Sequence, residues 1–201
     1  MKQIEVELRG ELPNNKNDLI QRLLAHYQSS FKSNELVIFF KYNHDFRFKI
    51  INNSAEFILK RKTIKSISNQ EELITKINIE ESKAFLQQLY YLGYEEGLIS
   101  ISKRIIFRNL ESEFCLKLDT PIGDFFEIEK VISNNESIQK TEEYLKNLLN
   151  KFGLYSWNEN EYNAIRSKSL VSMVKEKLIS NNELNPKISL FIDNQKIYLD
   201  N

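Results

Sequence analysis

The sequence predicts an α+β fold in which an antiparallel sheet or barrel of about eight strands is flanked by helices. The first supporting observation is strict alternation in residues 4–9, IEVELR, where apolar and charged side chains take turns. Alternation of this kind is typical of a strand with two unlike faces. The second observation is that short segments of strand character recur along the chain, interrupted by only a few long amphipathic helices.

Eight segments of the chain have the composition or alternation of strands. They are 2–9, 35–42, 46–51, 55–63, 71–79, 97–109, 113–120 and 124–132. The third and fourth segments are joined by an Asn-Asn-Ser turn and are expected to form a hairpin. Because neighbouring strands in the chain are joined by short connections, we expect antiparallel pairing.

Helices are predicted at 18–31, 80–94 and 135–153 from apolar residues that recur every three to four positions. Asn17 or Asp18 is expected to cap the first helix, and Asn135 the third. Gly93 and Gly153 are expected to end the second and third helices. Farther along, the pattern predicts a helix over 169–179 and a late hairpin over 188–200.

Composition sets bounds on the kind of protein. The 201 residues are enough for one domain with a sizeable core, and 28 basic residues balance 28 acidic ones. Net charge therefore gives no reason to expect a nucleic-acid polymer or a membrane as partner. The single cysteine, Cys115, excludes an internal disulfide, and no apolar signal or spanning segment is found. We expect a cytoplasmic protein.

Charged residues share one face on several of the predicted strands. Acidic side chains two apart occur on the first and last of the eight strands, and basic side chains occur mostly on the middle ones. The acidic residues are Glu5, Glu7, Glu127 and Glu129, and the basic ones are Arg9, Arg47, Lys49, Lys60, Lys62 and Arg104. A random solvated face tends to mix the two signs, whereas here they are segregated.

Two interpretations of these faces are open. They form the wet surface of a sheet, with helices packed on the other side. Alternatively, the charged faces of strands 2–9, 46–51, 55–63 and 123–131 line one interior cavity. Such a cavity would hold Mg²⁺ or Mn²⁺ on its carboxylates and a polyanion such as a triphosphate on its bases.

The order and spacing of these motifs resemble the CYTH superfamily, also called triphosphate tunnel metalloenzymes. Its Glu-x-Glu-x-Lys strand looks like Glu5-Val6-Glu7-Leu8-Arg9, and its later basic strands look like Arg47-Phe48-Lys49 and the Lys60 and Lys62 pair. Further matching positions are Leu92-Gly93, Lys103-Arg104, Asp119, Gly123 and Glu127-Ile128-Glu129. The resemblance covers about residues 2–165.

This resemblance implies an eight-stranded antiparallel β-barrel tunnel in residues 1–166, with a C-terminal helical and hairpin extension, 167–201, packed on it. It implies catalytic roles for Glu5, Glu7 and Arg9. The metal ligands it implies are Glu5, Glu7, Glu127, Glu129 and, by a looser match, Glu72. The triphosphate ligands it implies are Arg9, Arg47, Lys49, Lys60, Lys62 and Arg104.

The sequence departs from the family pattern at two positions. Arg9 replaces the usual lysine, and an arginine does not readily give up its proton to activate a nucleophile. Ser102 stands where a basic residue of the later Lys-x-Arg element is expected, so one cation of the tunnel is missing.

Three functions are consistent with this sequence. The leading one is metal-dependent hydrolysis of an inorganic or organic triphosphate, as in tripolyphosphatases and thiamine triphosphatases. The second is a class IV adenylyl cyclase, which makes cyclic AMP from ATP. The third is a catalytically weak phosphate-binding module. The expected partner is a small molecule containing a triphosphate, and the sequence leaves a homodimer open.

Overall fold

The structure, a computed structural model, describes residues 3–40, 46–62, 69–133 and 136–196. Eight long strands carry the fold. They are β1 (Gln3–Glu11), β2 (Ser29–Phe40), β3 (Phe46–Ile51), β4 (Ser54–Lys62), β5 (Asn69–Asn78), β6 (Glu96–Arg108), β7 (Glu113–Leu118) and β8 (Phe125–Ser133). All eight predicted strands are therefore present. Lys2, Lys41, Tyr42 and Thr63, at the ends of predicted strands, lie outside the described residues.

Hydrogen-bonded neighbours follow the order β2-β3-β4-β5-β1-β8-β7-β6, and an additional pairing joins β2 to β6. Each of these eight strands thus has a neighbour on both sides. The first and last strands of the run, β1 and β8, pair antiparallel, with Glu7 opposite Glu129 and Arg9 opposite Glu127. The α+β fold class with eight antiparallel strands is confirmed. Among the described residues, no helix has the length and hydropathy needed to span a bilayer.

Five helices accompany the strands: α1 (Lys16–His26), α2 (Ser82–Tyr91), α3 (Ile138–Lys151), α4 (Glu159–Ser172) and α5 (Pro186–Lys196). Three short strands lie in the C-terminal part: β9 (Lys175–Lys177), β10 (Ile179–Ser180) and β11 (Glu183–Leu184). The chain divides into two compact units. The first comprises Met1–Ser33, Arg61–Glu72 and Lys103–Leu170, and the second comprises Asn34–Lys60, Leu73–Ser102 and Val171–Asn201.

The core of the first unit forms where α1 and α3 cover the apolar face of β1, β7 and β8. Val6 and Leu8 of β1 lie in the same buried cluster as Leu19 of α1 and Leu145 of α3. Burying a side chain of this size contributes roughly 1.5–3 kcal/mol. The opposite face of β1 carries Glu5, Glu7 and Arg9, so this packing fixes which way the charged residues point.

The predicted first helix, 18–31, is wrong at both ends. The observed helix is capped by Asn15, whose side-chain oxygen accepts a hydrogen bond from the amide of Asp18. It ends at His26, and the amide of Gln28 donates to the carbonyl oxygen of Arg108 at 3.0 Å. The residues after 28 form β2, because pairing with β6 satisfies their backbone groups in place of helical hydrogen bonds.

The other two predicted helices are confirmed with shorter limits. Gly93 and Gly153 follow α2 and α3 with φ angles of +95° and +66°, a conformation that glycine adopts without strain. The cap of α3 is Ser137, whose hydroxyl accepts from the amide of Lys140. Asn135, the predicted cap, lies outside the described residues.

The C-terminal part of the second unit corrects two predictions. The predicted helix over 169–179 ends at Ser172, and the chain continues into β9, which pairs antiparallel with β6. The predicted hairpin over 188–200 is wrong for its described part, since residues 186–196 form α5. The physical reason is helical spacing: Ile188, Phe191 and Ile192 lie at i, i+3 and i+4 and are buried together.

Candidate active site

Three carboxylates meet on the charged face of β1 and β8. Glu5, Glu7 and Glu129 each place a carboxylate oxygen within 4.8 Å of the other two. Glu7 and Glu129 are direct neighbours across the two strands, and Glu5 lies one step along the same face. We call Glu5, Glu7 and Glu129 the acidic trio.

Arg9 lies at the other end of the same face, between two acids. Its Nη2 donates to Glu7 Oε2 at 2.5 Å, and its Nε donates to Glu127 Oε1 at 3.0 Å. The ring of Tyr162, from α4, lies 5.1 Å from the guanidinium carbon, which is close enough for a cation–π contact. The third nitrogen, Nη1, is buried and has no hydrogen-bond partner among the described residues. Arg9 is thus fixed in place with one donor still available.

Glu127 is surrounded by basic groups instead of acidic ones. Its Oε1 accepts from Arg9, and its Oε2 lies 3.0 Å from the Nζ of Lys117 on β7. Arg104 of β6 is opposite Lys117 in the strand register and adds a third positive charge. We call Arg9, Arg104 and Lys117, which converge on Glu127, the basic cluster.

The contrast between the two ends of this face appears in the pKa values of the two β8 glutamates. Burial by itself raises the pKa of Glu127, but Lys117, Arg9 and Arg104 outweigh burial and hold that pKa well below its ordinary value. For Glu129, burial and the charges of Glu5 and Glu7 act together, and its pKa is raised well above the ordinary value. The pKa of Arg9 is raised despite its burial, because Glu7, Tyr162 and Glu127 favour its charged form.

This face is not a solvated outer surface. Glu7 is 6% exposed and Arg104 is 7% exposed. The Arg9, Glu127 and Lys117 side chains retain 11%, 12% and 16% of their accessible surface. Charges removed from water interact more strongly than those on a surface. For these residues of the first unit, burial therefore argues against the interpretation of a solvated surface.

Cys115 lies on the same face of β7, opposite Glu127. The Nε of Arg104 donates to its Sγ at 3.2 Å, and Arg104 Nη2 lies 3.7 Å from Glu113 Oε1. Burial raises the pKa of the Cys115 thiol to about 12, although Arg104 and Lys117 act in the opposite direction. A thiol of this kind is an inert packing group at neutral pH.

The structure brings together only some of the predicted site residues. Glu5, Glu7, Arg9, Arg104, Glu127 and Glu129 all lie in the first unit and on one face. Lys103, the neighbour of Arg104, points the other way: its side chain is 69% exposed and its Nζ lies 2.9 Å from Asp119. Glu127 contacts the basic cluster and is not one of the three carboxylates of the acidic trio. Its role as a metal ligand with Glu129 stays a prediction.

Arg47 and Lys49 belong to the second unit. The Nζ of Lys49 lies 3.9 Å from Glu35 Oε2 and 3.6 Å from Glu56 Oε2, so this lysine is placed between two acids. The side chains of Lys60, Lys62 and Glu72 lie outside the described part of the structure. Roles for these five residues, and one cavity shared by all the charged strands, stay predictions.

Several residues that contact the predicted site residues were not themselves predicted as site residues. They are Glu113, Cys115 and Lys117 on β7, Tyr162 on α4, and Glu35 and Glu56 beside Lys49. Alternation could have identified the β7 residues, since Phe114 and Leu116 between them are fully buried. No local signal points to Tyr162, because its position depends on how the chain returns after α3.

The acidic trio has the donor chemistry of a site for a hard divalent cation. Each member offers carboxylate oxygen, the ligand that Mg²⁺ and Mn²⁺ prefer. Burial and the charges of Glu5 and Glu7 raise the pKa of Glu129, and a divalent cation bound among the three carboxylates would offset their repulsion. The residues present therefore fit a Mg²⁺ or Mn²⁺ ion.

No protein-family model and no curated protein sequence matches this chain. Solved structures do match. The PH1819 protein of Pyrococcus horikoshii is similar with a TM-score of 0.63 at 19% identity, covering 81% of this chain and 99% of that one. A candidate adenylate cyclase from Vibrio parahaemolyticus is similar with a TM-score of 0.60 at 20% identity, covering 83% and 99%.

A third similar structure is HpAC1 from Hippeastrum, a candidate adenylyl cyclase with a dominant triphosphatase activity. Its TM-score is 0.55 at 16% identity, covering 91% of this chain and 100% of that one. This chain has the CYTH-type fold. At these identities the likeness establishes the CYTH-type fold alone, and the chemistry has to be argued from the residues described above.

Proposed function

We propose that this protein is a metal-dependent triphosphate phosphohydrolase, acting on an inorganic or organic triphosphate. The observation that carries the proposal is the buried face on which the acidic trio lies next to the basic cluster. A triphosphate bound to a divalent cation has a positive part, which would suit the acidic trio, and negative phosphate oxygens, which would suit the basic cluster. The triphosphatase activity of HpAC1, which is similar in fold, supports the same reaction class.

The roles of the residues follow from their contacts. Glu5, Glu7 and Glu129 would hold one or two Mg²⁺ or Mn²⁺ ions. When bound, such a metal neutralises phosphate oxygens and lowers the pKa of an attacking water. Phosphoryl transfer depends mainly on positioning and charge neutralisation, so a covalent nucleophile is not required.

Arg9 has an electrostatic role in this proposal. Its raised pKa keeps it protonated, so it serves as a donor and not as a proton acceptor. Its buried Nη1 supplies a hydrogen-bond donor to a phosphate oxygen, and Arg104 supplies a second positive charge. The family resemblance implies four further phosphate ligands, which are Arg47, Lys49, Lys60 and Lys62.

An adenylyl cyclase is the second candidate, because the similar structure from Vibrio parahaemolyticus is described as a candidate adenylate cyclase. Cyclisation would release pyrophosphate from ATP, whereas hydrolysis of the terminal phosphate releases orthophosphate. A phosphate-binding module without turnover is the third candidate, since Arg9 cannot act as a base.

The deciding experiment is product analysis with tripolyphosphate and with ATP, each with Mg²⁺ or Mn²⁺. Orthophosphate from either substrate supports the hydrolase, cyclic AMP with pyrophosphate supports the cyclase, and binding without products supports the module. Glu7→Gln should lower turnover about 100-fold or more, because it removes charge at the reacting centre. Glu11→Gln, at an exposed position on the same strand, is the matched control and should keep the parent's turnover. A parent that neither binds nor turns over any triphosphate would refute the proposal.

A further inference from the structure

We propose that Tyr162 is a positioning residue for Arg9, whose guanidinium group it holds in the orientation that the proposed hydrolysis uses. This role rests on the proposed function, in which Arg9 acts as a charged donor. The guanidinium carbon of Arg9 lies over the Tyr162 ring, 5.1 Å from the ring centre. The face of an aromatic ring attracts a cation at this separation. The chain between α3 and α4 sets the position of that ring.

Two kinds of contact restrain the Arg9 side chain. Glu127 and Glu7 accept hydrogen bonds from Nε and Nη2. The N–H groups of a guanidinium lie in its plane, so these two bonds restrict rotation within that plane. The Tyr162 ring lies against the guanidinium carbon and opposes tilting out of the plane. Removal of the ring would therefore leave both carboxylates in reach and allow the group to tilt.

The segment that joins α3 to α4, residues 153–158, is anchored at Arg9. The amide of Trp157 donates to the carbonyl oxygen of Arg9 at 2.7 Å. At the next residue of β1, Gly10, the carbonyl oxygen of Tyr155 comes so close that a Cβ would lie 2.4 Å from it. Glycine, which has no Cβ, permits this approach. The segment thus meets β1 at the backbone of the residue whose side chain the ring contacts.

A capping box fixes where α4 begins. The side chain of Asn158 accepts from the amides of Asn160 and Glu161 at 2.9 and 3.1 Å, and the Glu161 carboxylate accepts from the amide of Asn158 at 2.7 Å. Tyr162 follows directly, and its amide donates to the carbonyl oxygen of Asn158 at 3.0 Å. Tyr162 is partly buried, whereas Glu161 and Asn163 beside it are exposed. The anchored segment and the capped helix start together place the ring at Arg9.

The first test observes Arg9 itself. NMR measures how fast the Nε–H group of each arginine exchanges with water, and Arg9→Lys and Arg104→Lys assign the two signals. Replacing Tyr162 by Leu or by Met removes the ring and keeps an apolar side chain. Either variant should speed the Arg9 exchange about tenfold, as loss of a shielded cation–π contact does, and leave that of Arg104 unchanged. Tyr162→Phe keeps the ring and should behave like the parent.

The second test is steady-state hydrolysis of tripolyphosphate or ATP, whichever the parent turns over, with Mg²⁺. Tyr162→Leu should lower kcat about tenfold and leave KM within about twofold, because a misoriented donor loses mainly transition-state stabilisation. Tyr162→Phe should keep the parent's kcat. Tyr155→Leu is the matched control on the same segment, because the Tyr155 side chain is 74% exposed, and it should keep kcat, KM and the Arg9 exchange rate.

The outcomes separate positioning from stability. Faster exchange at Arg9 alone, with a lower kcat and parent-like behaviour of Tyr162→Phe, supports the role. Equal acceleration at Arg9 and Arg104 would show a general loosening of the fold and would overturn it. Parent-like exchange or kcat in Tyr162→Leu, or an equal loss in Tyr162→Phe, would also overturn it. A parent without triphosphate turnover would overturn the proposed function, while the exchange rates, measured without substrate, still decide whether Tyr162 positions Arg9.

Discussion

Glu127 and Glu129 lie on the same face of β8, two residues apart, and we expect their replacement by glutamine to change stability in opposite directions. Glutamine keeps the size and shape of the side chain and removes its negative charge. The two positions differ only in their neighbours, which are basic around Glu127 and acidic around Glu129. The comparison therefore isolates the charge distribution of the site.

At Glu129 the charge is unfavourable in the metal-free protein. Its carboxylate oxygen lies within 4.8 Å of oxygens of Glu5 and Glu7. With an effective dielectric constant near 20, each such pair of charges repels by about 3 kcal/mol. Partial protonation already relieves some of this repulsion, since the pKa of Glu129 is raised. We therefore expect Glu129→Gln to stabilise the metal-free protein by about 1–3 kcal/mol.

At Glu127 the charge is favourable. Its two oxygens receive Arg9 and Lys117, each at 3.0 Å, and glutamine would leave both cations without their shared carboxylate. Breaking a buried ion pair by removing one partner costs about 3–5 kcal/mol. We expect Glu127→Gln to destabilise the protein by this amount.

The assay is urea unfolding in EDTA at pH 7, followed by circular dichroism, with melting temperatures as a second measure. One kcal/mol corresponds to about 2–4 °C in a chain of this length. The melting temperature of Glu129→Gln should rise, and that of Glu127→Gln should fall by about 6 °C or more. Equal shifts in the same direction would refute the separation of acidic and basic neighbours. Glu11→Gln, exposed at the end of β1, should change neither measure.

Four further predictions concern single positions. In EDTA, the parent should lose stability as the pH rises above about 4.5 toward the raised pKa of Glu129, and Glu129→Gln should remove that loss, as a pH series of melts would show. Gly10→Ala should destabilise by about 2 kcal/mol or more in urea unfolding, because its Cβ would lie 2.4 Å from the carbonyl oxygen of Tyr155. Cys115, with a pKa of about 12 and 3% exposure, should react with a thiol reagent at pH 8 only at the rate of unfolding. Tyr162→Ala should cost about 0.5–2 kcal/mol through its contact with Arg9, and Tyr162→Phe much less, as measured by melting in EDTA.

The strands could be predicted because their two faces differ in chemistry. In β1, Val6 and Leu8 pack into the core while Glu5 and Glu7 face the other way, so alternation identified both the strand and its orientation. The same rule would have found Lys117, whose strand alternates equally well. For both strands the information is local, because it lies in the alternation of neighbouring residues.

The sequence does not show which charged residues pair with one another across neighbouring strands. Arg9 and Glu127 are 118 positions apart, and their contact depends on the register between β1 and β8. The alternation of side chains along a strand shows which residues share a face. A shift of two residues in the register between two strands would leave each residue on the same face and change every cross-strand partner. For this reason the sequence indicates that Glu127 and Glu129 share a face, but it does not indicate that Glu127 contacts Arg9 and Lys117.

The C-terminal part of the chain shows a second limit of predicting secondary structure from apolar patterns. Ile188, Phe191 and Ile192 form a short apolar run with flanking polar residues, which fits either a strand or one face of a helix. Pro186 and Asn185 decide in favour of the helix. The proline occupies its first turn, and the side chain of Asn185 accepts a hydrogen bond from the amide of Lys187 at 3.0 Å. The cap residues therefore indicate a helix, whereas the apolar run by itself does not distinguish a helix from a strand.

Arg9 connects the two ends of the charged face, and its chemistry explains why an arginine suits this position. A guanidinium presents several donors in a rigid plane, so one side chain can reach both Glu7 and Glu127. A lysine ammonium is a point charge on a flexible stem and has no such fork. By holding Glu7 on one side and Glu127 on the other, Arg9 keeps the acidic trio and the basic cluster at adjacent, fixed positions. Because Arg9 stays protonated, any proton transfer in the proposed hydrolysis must use another group or water. An arginine in place of the lysine of the family pattern therefore keeps the positive charge and gives up a possible proton acceptor.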